Sequence, residues 1–405
     1  MRPQTARRIA CTIVLTLIAV AYAATTAAAD GPGVGTSAVV TLGDSAISGE
    51  AGRWAGNTND SYTRVDALGP TAYFDNASNT AETIPGCHRS KAAEAHIGGG
   101  VLSANLACSG AKTSTGGTGD GEDFKPGIDF YSDANGRKGQ ALALQEYAST
   151  HNVKAVVVLI GANDYGFADI VEACVVDWYT SPSWWPNYCQ DDSDIAAKFT
   201  PQNIAAITAN VKQAYLNVAQ AMTNAGYNAS QYTILAQTYW SPIPRGSGFR
   251  YPETGYTRQT VGGCGVWNRD ADWANDTVVT TMNDTTRNAV GQSGLTNAKI
   301  LDMANSLVGR RLCENTVGLL EEQGVSTWQS RGAVDKTEWV SQIRTSSTIG
   351  GPYQLQEDGH ASYWGQKAMR NCLRQAYNGG TIRGGSCVID RKGLNAQGEP
   401  LMALR

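Results

Sequence analysis

Histidine is scarce in this chain: 405 residues hold four, His88, His96, His151 and His360. Neither Cys-x-x-Cys nor His-x-x-x-His occurs. The ligand spacings of zinc sites are therefore missing, and no metal is expected. No run of basic residues is present, and the formal net charge is −4 at pH 7. A mildly acidic chain has no electrostatic reason to take nucleic acid or an anionic lipid surface as a partner. No internal repeat is visible. Apart from the first thirty residues, no apolar run is long enough to cross a bilayer. The glycine-rich stretch Gly116-Gly117-Thr118-Gly119-Asp120-Gly121 has no strand before it and no helix pattern after it, so it reads as a loop and not as a phosphate cradle.

The amino-terminal segment has a specific layout. Arg2, Arg7 and Arg8 precede an apolar run from Ile9 to about Tyr22, and Ala27-Ala28-Ala29 closes it with small residues before Asp30. That is the pattern of a secretory signal peptide over residues 1–29, with no stable membrane insertion after cleavage. Ile9 to Ala29 is nearly long enough for a retained anchor, but the small-residue end suits a signal peptidase better. Of the nine cysteines, Cys11 falls in this segment. The others, Cys87, Cys108, Cys174, Cys189, Cys264, Cys313, Cys372 and Cys387, form an even set, which in an exported chain reads as four disulfides. Sequence does not choose among the possible connectivities. Pairing of neighbours is the expectation: 87 with 108, 174 with 189, 264 with 313 and 372 with 387.

With 42% hydrophobic and 17% charged residues, the composition is that of a globular protein. One large domain is expected over residues 30–378. A Gly-rich tail follows over 379–405, loosely packed unless Cys387 is bridged. Ala38–Leu42, Val153–Ile160, Tyr232–Gln237 and Ala298–Met303 read as buried strands, continuous in apolar character and not alternating. Asn203–Ala225, Ala271 to about Val290 and Tyr363–Tyr377 read as helices, the first ending at Gly226. Strands alternating with helices predict an α/β layered fold with a mostly parallel sheet covered on both faces. In such sheets sites collect at the carboxyl ends of the strands. Two polar turns fall there, Gly43-Asp44-Ser45 and Gly161-Ala162-Asn163-Asp164.

A serine hydroxyl becomes a useful nucleophile when a neighbouring base takes its proton. Ser45, at the end of a strand, is the candidate nucleophile, although an N-cap serine would look the same in isolation. His360 is the best candidate base, because Glu357 and Asp358 stand beside it and a carboxylate can hold the imidazole tautomer. Asp44 reads as a turn or capping residue. Asn163 can supply a side-chain amide to a developing oxyanion, and a glycine N–H can supply another.

Gly43-Asp44-Ser45-Ala46, Asn105-Leu106-Ala107-Cys108-Ser109-Gly110-Ala111, Gly161-Ala162-Asn163-Asp164 and Glu357-Asp358-Gly359-His360 occur in that order. Together they resemble the conserved blocks of the SGNH hydrolases, also called GDSL esterases and lipases, from Val39 to about Cys372. Two departures stand out: Ala46 replaces a leucine, and Glu357 stands where the family has Asp. The resemblance implies a three-layer α/β/α sandwich, the flavodoxin-like SGNH hydrolase fold. It also implies hydrolysis of carboxylic esters by Ser45 and His360, oriented by Glu357 or Asp358, or by a backbone carbonyl as in some relatives. The oxyanion donors would be the Ser45 and Gly110 amides and the Asn163 side chain, with no cofactor. The implied partner is a small-molecule, lipid or carbohydrate ester, and the implied location is extracellular. Two alternatives remain: a polysaccharide deacetylase-type carbohydrate esterase, and a secreted carbohydrate-binding protein without catalysis. An α/β-hydrolase is disfavoured, because no Gly-x-Ser-x-Gly occurs. Cys174 to Cys189 encloses Trp178, Tyr179, Trp184, Trp185 and Tyr188. That loop either flanks the cleft and touches an acyl chain or sugar ring, or forms a satellite apolar cluster.

Overall fold

Four β-branched runs become the centre of one sheet. The strands are β1 (Ser37–Gly43), β2 (Leu102–Asn105), β3 (Asn152–Leu159), β4 (Thr233–Gln237), β5 (Ala298–Asp302), β6 (Gly385–Leu394) and β7 (Pro400–Leu404). The computed structural model describes residues 30–117, 123–343 and 357–405, so the expected signal peptide and much of the Gly116–Gly121 loop lie outside the described residues. The sheet has seven strands in the order β2-β1-β3-β4-β5-β6-β7. All neighbours run parallel except β6 and β7. Val153 and every residue from Ala155 to Leu159 are fully buried, as a central strand covered on both faces requires.

The longer helices cover the two faces, giving the expected three-layer α/β/α sandwich. They are α2 (Gln140–Ala148), α3 (Phe167–Thr180), α4 (Pro201–Asn224), α5 (Thr280–Ser293) and α6 (Tyr363–Tyr377); a single turn, α1 (Ser45–Ser48), precedes them. Helix α4 illustrates the local logic. Thr200 caps it by accepting the Asn203 N–H, and Pro201 occupies the first turn, where no intrahelical donor is needed. Ile207, Val211, Ala214, Tyr215, Val218 and Met222 form its buried stripe, and the helix packs between α2 and α5. Helix α6 packs against β6 and β7.

The helix expected from Ala271 to Val290 is interrupted. Asn268–Trp273 is α-helical, Ala274–Val279 is a π-helical turn, and α5 follows. All four neighbour disulfides form, at Cα separations of 4.1, 4.7, 6.4 and 5.8 Å in chain order. Cys387 is therefore bridged, and the Gly-rich tail is packed into the sheet as an antiparallel pair, anchored to α6 through Cys372. Closing a loop of 15 residues is worth about 3 kcal/mol. The double variant Cys372→Ser/Cys387→Ser should therefore lose about that much stability in urea unfolding, with faster amide exchange across residues 385–404. An unchanged unfolding midpoint would contradict this account.

Candidate active site

The carboxyl end of β1 is shaped by a contact that excludes every side chain. Gly43 has φ 142°, and a Cβ there would stand 1.9 Å from the Leu159 carbonyl oxygen on β3. Only glycine allows that approach. Gln140 clamps the same residue from the opposite side. Its Oε1 accepts the Gly43 N–H at 2.7 Å, and its Nε2 donates to the Gly43 carbonyl at 2.8 Å. The chain then turns into α1. Asp44 caps that turn by accepting the Ala46 N–H at 3.1 Å, and the Tyr239 hydroxyl donates to its other oxygen. Burial pushes the Asp44 carboxyl up to about 7, against the opposing pull of Tyr239 and the Ala46 amide. Asp44 is thus the capping residue expected, and Ser45, at the start of α1, is left half-exposed at the pocket.

His360 meets Ser45 across 315 positions of sequence. Its Nε2 lies 2.7 Å from Ser45 Oγ, and its Nδ1 lies 2.9 Å from the Asp358 backbone carbonyl. A carbonyl oxygen can only accept, so Nδ1 carries the proton and Nε2 is free to receive the one from serine. Burial holds the imidazole below its ordinary value, opposed by the charge of Glu50 and the Asp358 carbonyl.

The neighbouring carboxylates are arranged differently from the expectation. Glu357, one of the two carboxylates expected to orient His360, bonds elsewhere. Its Oε2 accepts the Trp54 indole N–H at 2.8 Å, and its Oε1 accepts the Tyr73 hydroxyl. Asp358 serves through its main chain. The physical reason is the turn itself: it points the 358 carbonyl at the ring and buries the 357 side chain against β-sheet loops far away in sequence. Tyr73 in turn stacks on His88 at 4.7 Å between ring centres, and His88 Nδ1 pairs with the fully buried Glu50 at 2.5 Å. Burial works against a charge on His88, but the hydrogen bond and charge of Glu50 outweigh it and raise the imidazole above its ordinary value. Trp54, Tyr73, Glu50 and His88 were not legible in the sequence as site residues, since no motif or spacing joins them to His360.

Ser45, Asn163 and His360 line one open pocket, about 440 Å3 with its solvent-open space included, together with Asp44, Tyr239 and Phe167. Asn163 Nδ2 donates to the Ala111 carbonyl at 2.9 Å, and Asp164 accepts the Thr113 amide at 3.1 Å. These two side chains lash the 161–164 turn to the loop that carries Gly110. Gly110 has φ 78° and directly follows Ser109, beyond the Cys87–Cys108 bridge, and Cys108 N–H donates to the Gly43 carbonyl at 3.0 Å. The Gly110 loop is thus tied to both polar turns, although Gly110 is not among the residues lining the pocket. The other histidines are occupied elsewhere: His96 bonds Ser103 at 2.8 Å and His151 stacks on Tyr147 at 3.9 Å.

The aromatic loop closed by Cys174–Cys189 does not reach this pocket. Trp178 is buried against Trp267, Tyr179 meets Tyr256, and Trp184 and Trp185 are 80% and 73% exposed. Among the described residues no cluster of potential metal ligands is present.

No family model and no curated protein matches the chain in sequence. Among solved structures it is similar to an extracellular lipase from Streptomyces rimosus, at 16% identity and a TM-score of 0.43, over 86% of this chain and 100% of that one. It is also similar to an active-site mutant of a family two carbohydrate esterase from Clostridium thermocellum, at 11% identity and a TM-score of 0.35, over 86% and 64% of the two chains. Similarity of this degree leaves the chemistry to be read from this chain's own side chains. Glu357→Ala would remove the carboxylate that accepts from the buried Trp54 indole N–H and from the part-buried Tyr73 hydroxyl. A stability loss of about 1–3 kcal/mol for each is expected in denaturant unfolding, and an unchanged midpoint would refute the anchoring role.

Proposed function

We propose that this protein is an exported serine esterase of the SGNH type, which cleaves carboxylic esters through a Ser45–His360 dyad oriented by the Asp358 backbone carbonyl. The supporting observation is the relay Ser45 Oγ–His360 Nε2–Nδ1–Asp358 O, with both links at hydrogen-bond length. Four disulfides support an oxidising, extracellular location, and cleavage after residue 29 is part of the same reading.

In this mechanism His360 Nε2 takes the Ser45 proton as Oγ attacks the ester carbonyl carbon. The tetrahedral intermediate carries an oxyanion, for which the Ser45 amide, the Gly110 amide and the Asn163 side chain are the donors. Collapse breaks the carbon–oxygen bond to the alcohol, which leaves with the proton held on Nε2. Water then gives a proton to His360 Nε2 as it attacks the acyl-enzyme; collapse breaks the acyl–Oγ bond, Nε2 returns that proton to Ser45 Oγ, and the acid leaves. Imidazolium formation is supported by the Nδ1–H bond to the carbonyl and by the Glu50 charge nearby. A non-catalytic carbohydrate-binding role would give no reason for this relay.

Ser45→Ala and His360→Ala should each nearly abolish hydrolysis of p-nitrophenyl esters, and the double variant should be no worse than either. Asp358→Ala should keep most of the activity, since its contact with His360 comes from the main chain. A fluorophosphonate should label Ser45, located by mass spectrometry; labelling elsewhere, or none, would end the proposal. The working base is neutral His360, present above its pKa and lost as pH falls through it. Because burial lowers that pKa, kcat/KM should persist at pH 6.5 and decline only in more acidic solution. A profile already half-lost above pH 6.5 would contradict the assignment.

A further inference from the structure

A second cavity lies beside the one that holds Ser45. It is an open-sided groove of about 570 Å3, solvent-open space included, and Phe167 and Pro242 line both spaces. Its walls include Ile170, Val171 and Val175 of α3 and Ala274, Val278 and Val279 of the π-helical turn. Every other lining side chain is apolar or a bridged cysteine, except Asp270. That carboxylate is already engaged by the Cys189 and Gln190 amides at 3.3 Å and by the Gln190 side chain at 3.2 Å. A sugar placed here would leave its hydroxyls unpaired, at a cost that a hydrocarbon does not incur.

The walls are built to stay apart. Cys174 and Cys264 both line the cavity, and their bridges to Cys189 and Cys313 hold α3 and the 264 segment in place. The wider π-helical turn sits where the helix runs between the two spaces, with Met282 of α5 lining the serine pocket one turn on. Such turns are frequent at functional sites. Phe167, the first residue of α3, follows Asn163 by four positions, and its N–H is fixed by the Ala162 carbonyl at 3.2 Å. A side chain shared by the two spaces is therefore tied to the turn that carries Asn163.

We propose that this cavity is the acyl-chain site: the hydrocarbon of a medium- or long-chain fatty acyl ester passes Phe167 and Pro242 into it while the carbonyl sits at Ser45. The inference rests on the serine-esterase reading and adds its substrate class. Apolar burial raises the rate constant by roughly fourfold for each methylene taken out of water.

The test is kcat/KM for p-nitrophenyl esters from acetyl to dodecanoyl, with acetylated xylan alongside. Octanoate is expected to exceed acetate at least tenfold. Val171→Phe on α3 and Ala274→Phe on the π-helical turn fill the cavity from separate walls, and each should lower the octanoate-to-acetate ratio at least tenfold. Melting temperature and fluorophosphonate labelling of Ser45 report whether each variant is folded and armed, and either variant alone suffices. A flat chain-length profile, preference for acetyl groups on xylan, or folded variants with unchanged ratios would overturn the acyl site while leaving the esterase intact. No hydrolysis of any ester together with an unlabelled Ser45 would instead overturn the esterase reading.

Discussion

An imidazole can take a proton on one nitrogen only when its other nitrogen is committed as a donor, and here a peptide carbonyl makes that commitment. The Asp358 oxygen sits 2.9 Å from His360 Nδ1, and no rotamer choice is involved in placing it. Its position depends on the backbone of the 357–360 turn. That turn is pinned by the buried Glu357 carboxylate, held by the indole of Trp54 and the hydroxyl of Tyr73. An uncharged acceptor stabilises the imidazolium less than a carboxylate would. The buried Glu50–His88 pair lies close enough for its charges to act on the His360 ring, Glu50 favouring the proton and His88 opposing it.

The sheet brings the remaining parts together by register. Gly43 at the end of β1 pairs with Leu159 near the end of β3, so the two polar turns emerge side by side. Gly43 is the residue that allows the strands to approach so closely there, and Gln140 reads its amide and carbonyl at once. The loop that carries Gly110 is then drawn in by the Cys108 amide on Gly43 and by Asn163 on Ala111. Positioning in this region is thus shared among main-chain contacts, which tolerate few changes of side chain at Gly43.

The four central strands and helix α6 were legible because their apolar runs and helical spacing are strong local signals, and α6 spans the expected Tyr363–Tyr377. Strand β2 was not, since Leu102–Asn105 is a four-residue edge strand, half-exposed, without an apolar run. The tail strands were hidden because glycines and charged residues break up β6, and β7 is only five residues long and opens on a proline. Ser45 and His360 could be picked out because so few histidines compete. Glu357 was misjudged because adjacency in sequence suggested a contact that the turn does not make, while its actual partner Trp54 lies 303 positions away. The apolar cavity had no signature, since its walls come from segments that are separate in the chain and each reads as ordinary core.

Every bridge joins cysteines that are consecutive among the eight, at separations of 21, 15, 49 and 15 residues. No two of these rings overlap along the chain, and none waits for a distant half of the polypeptide. Oxidation proceeding from the amino end as the chain emerges would therefore make the correct partners in order of appearance. Such a molecule can complete its covalent framework without a shuffling step by an isomerase, a requirement that interleaved connectivities impose.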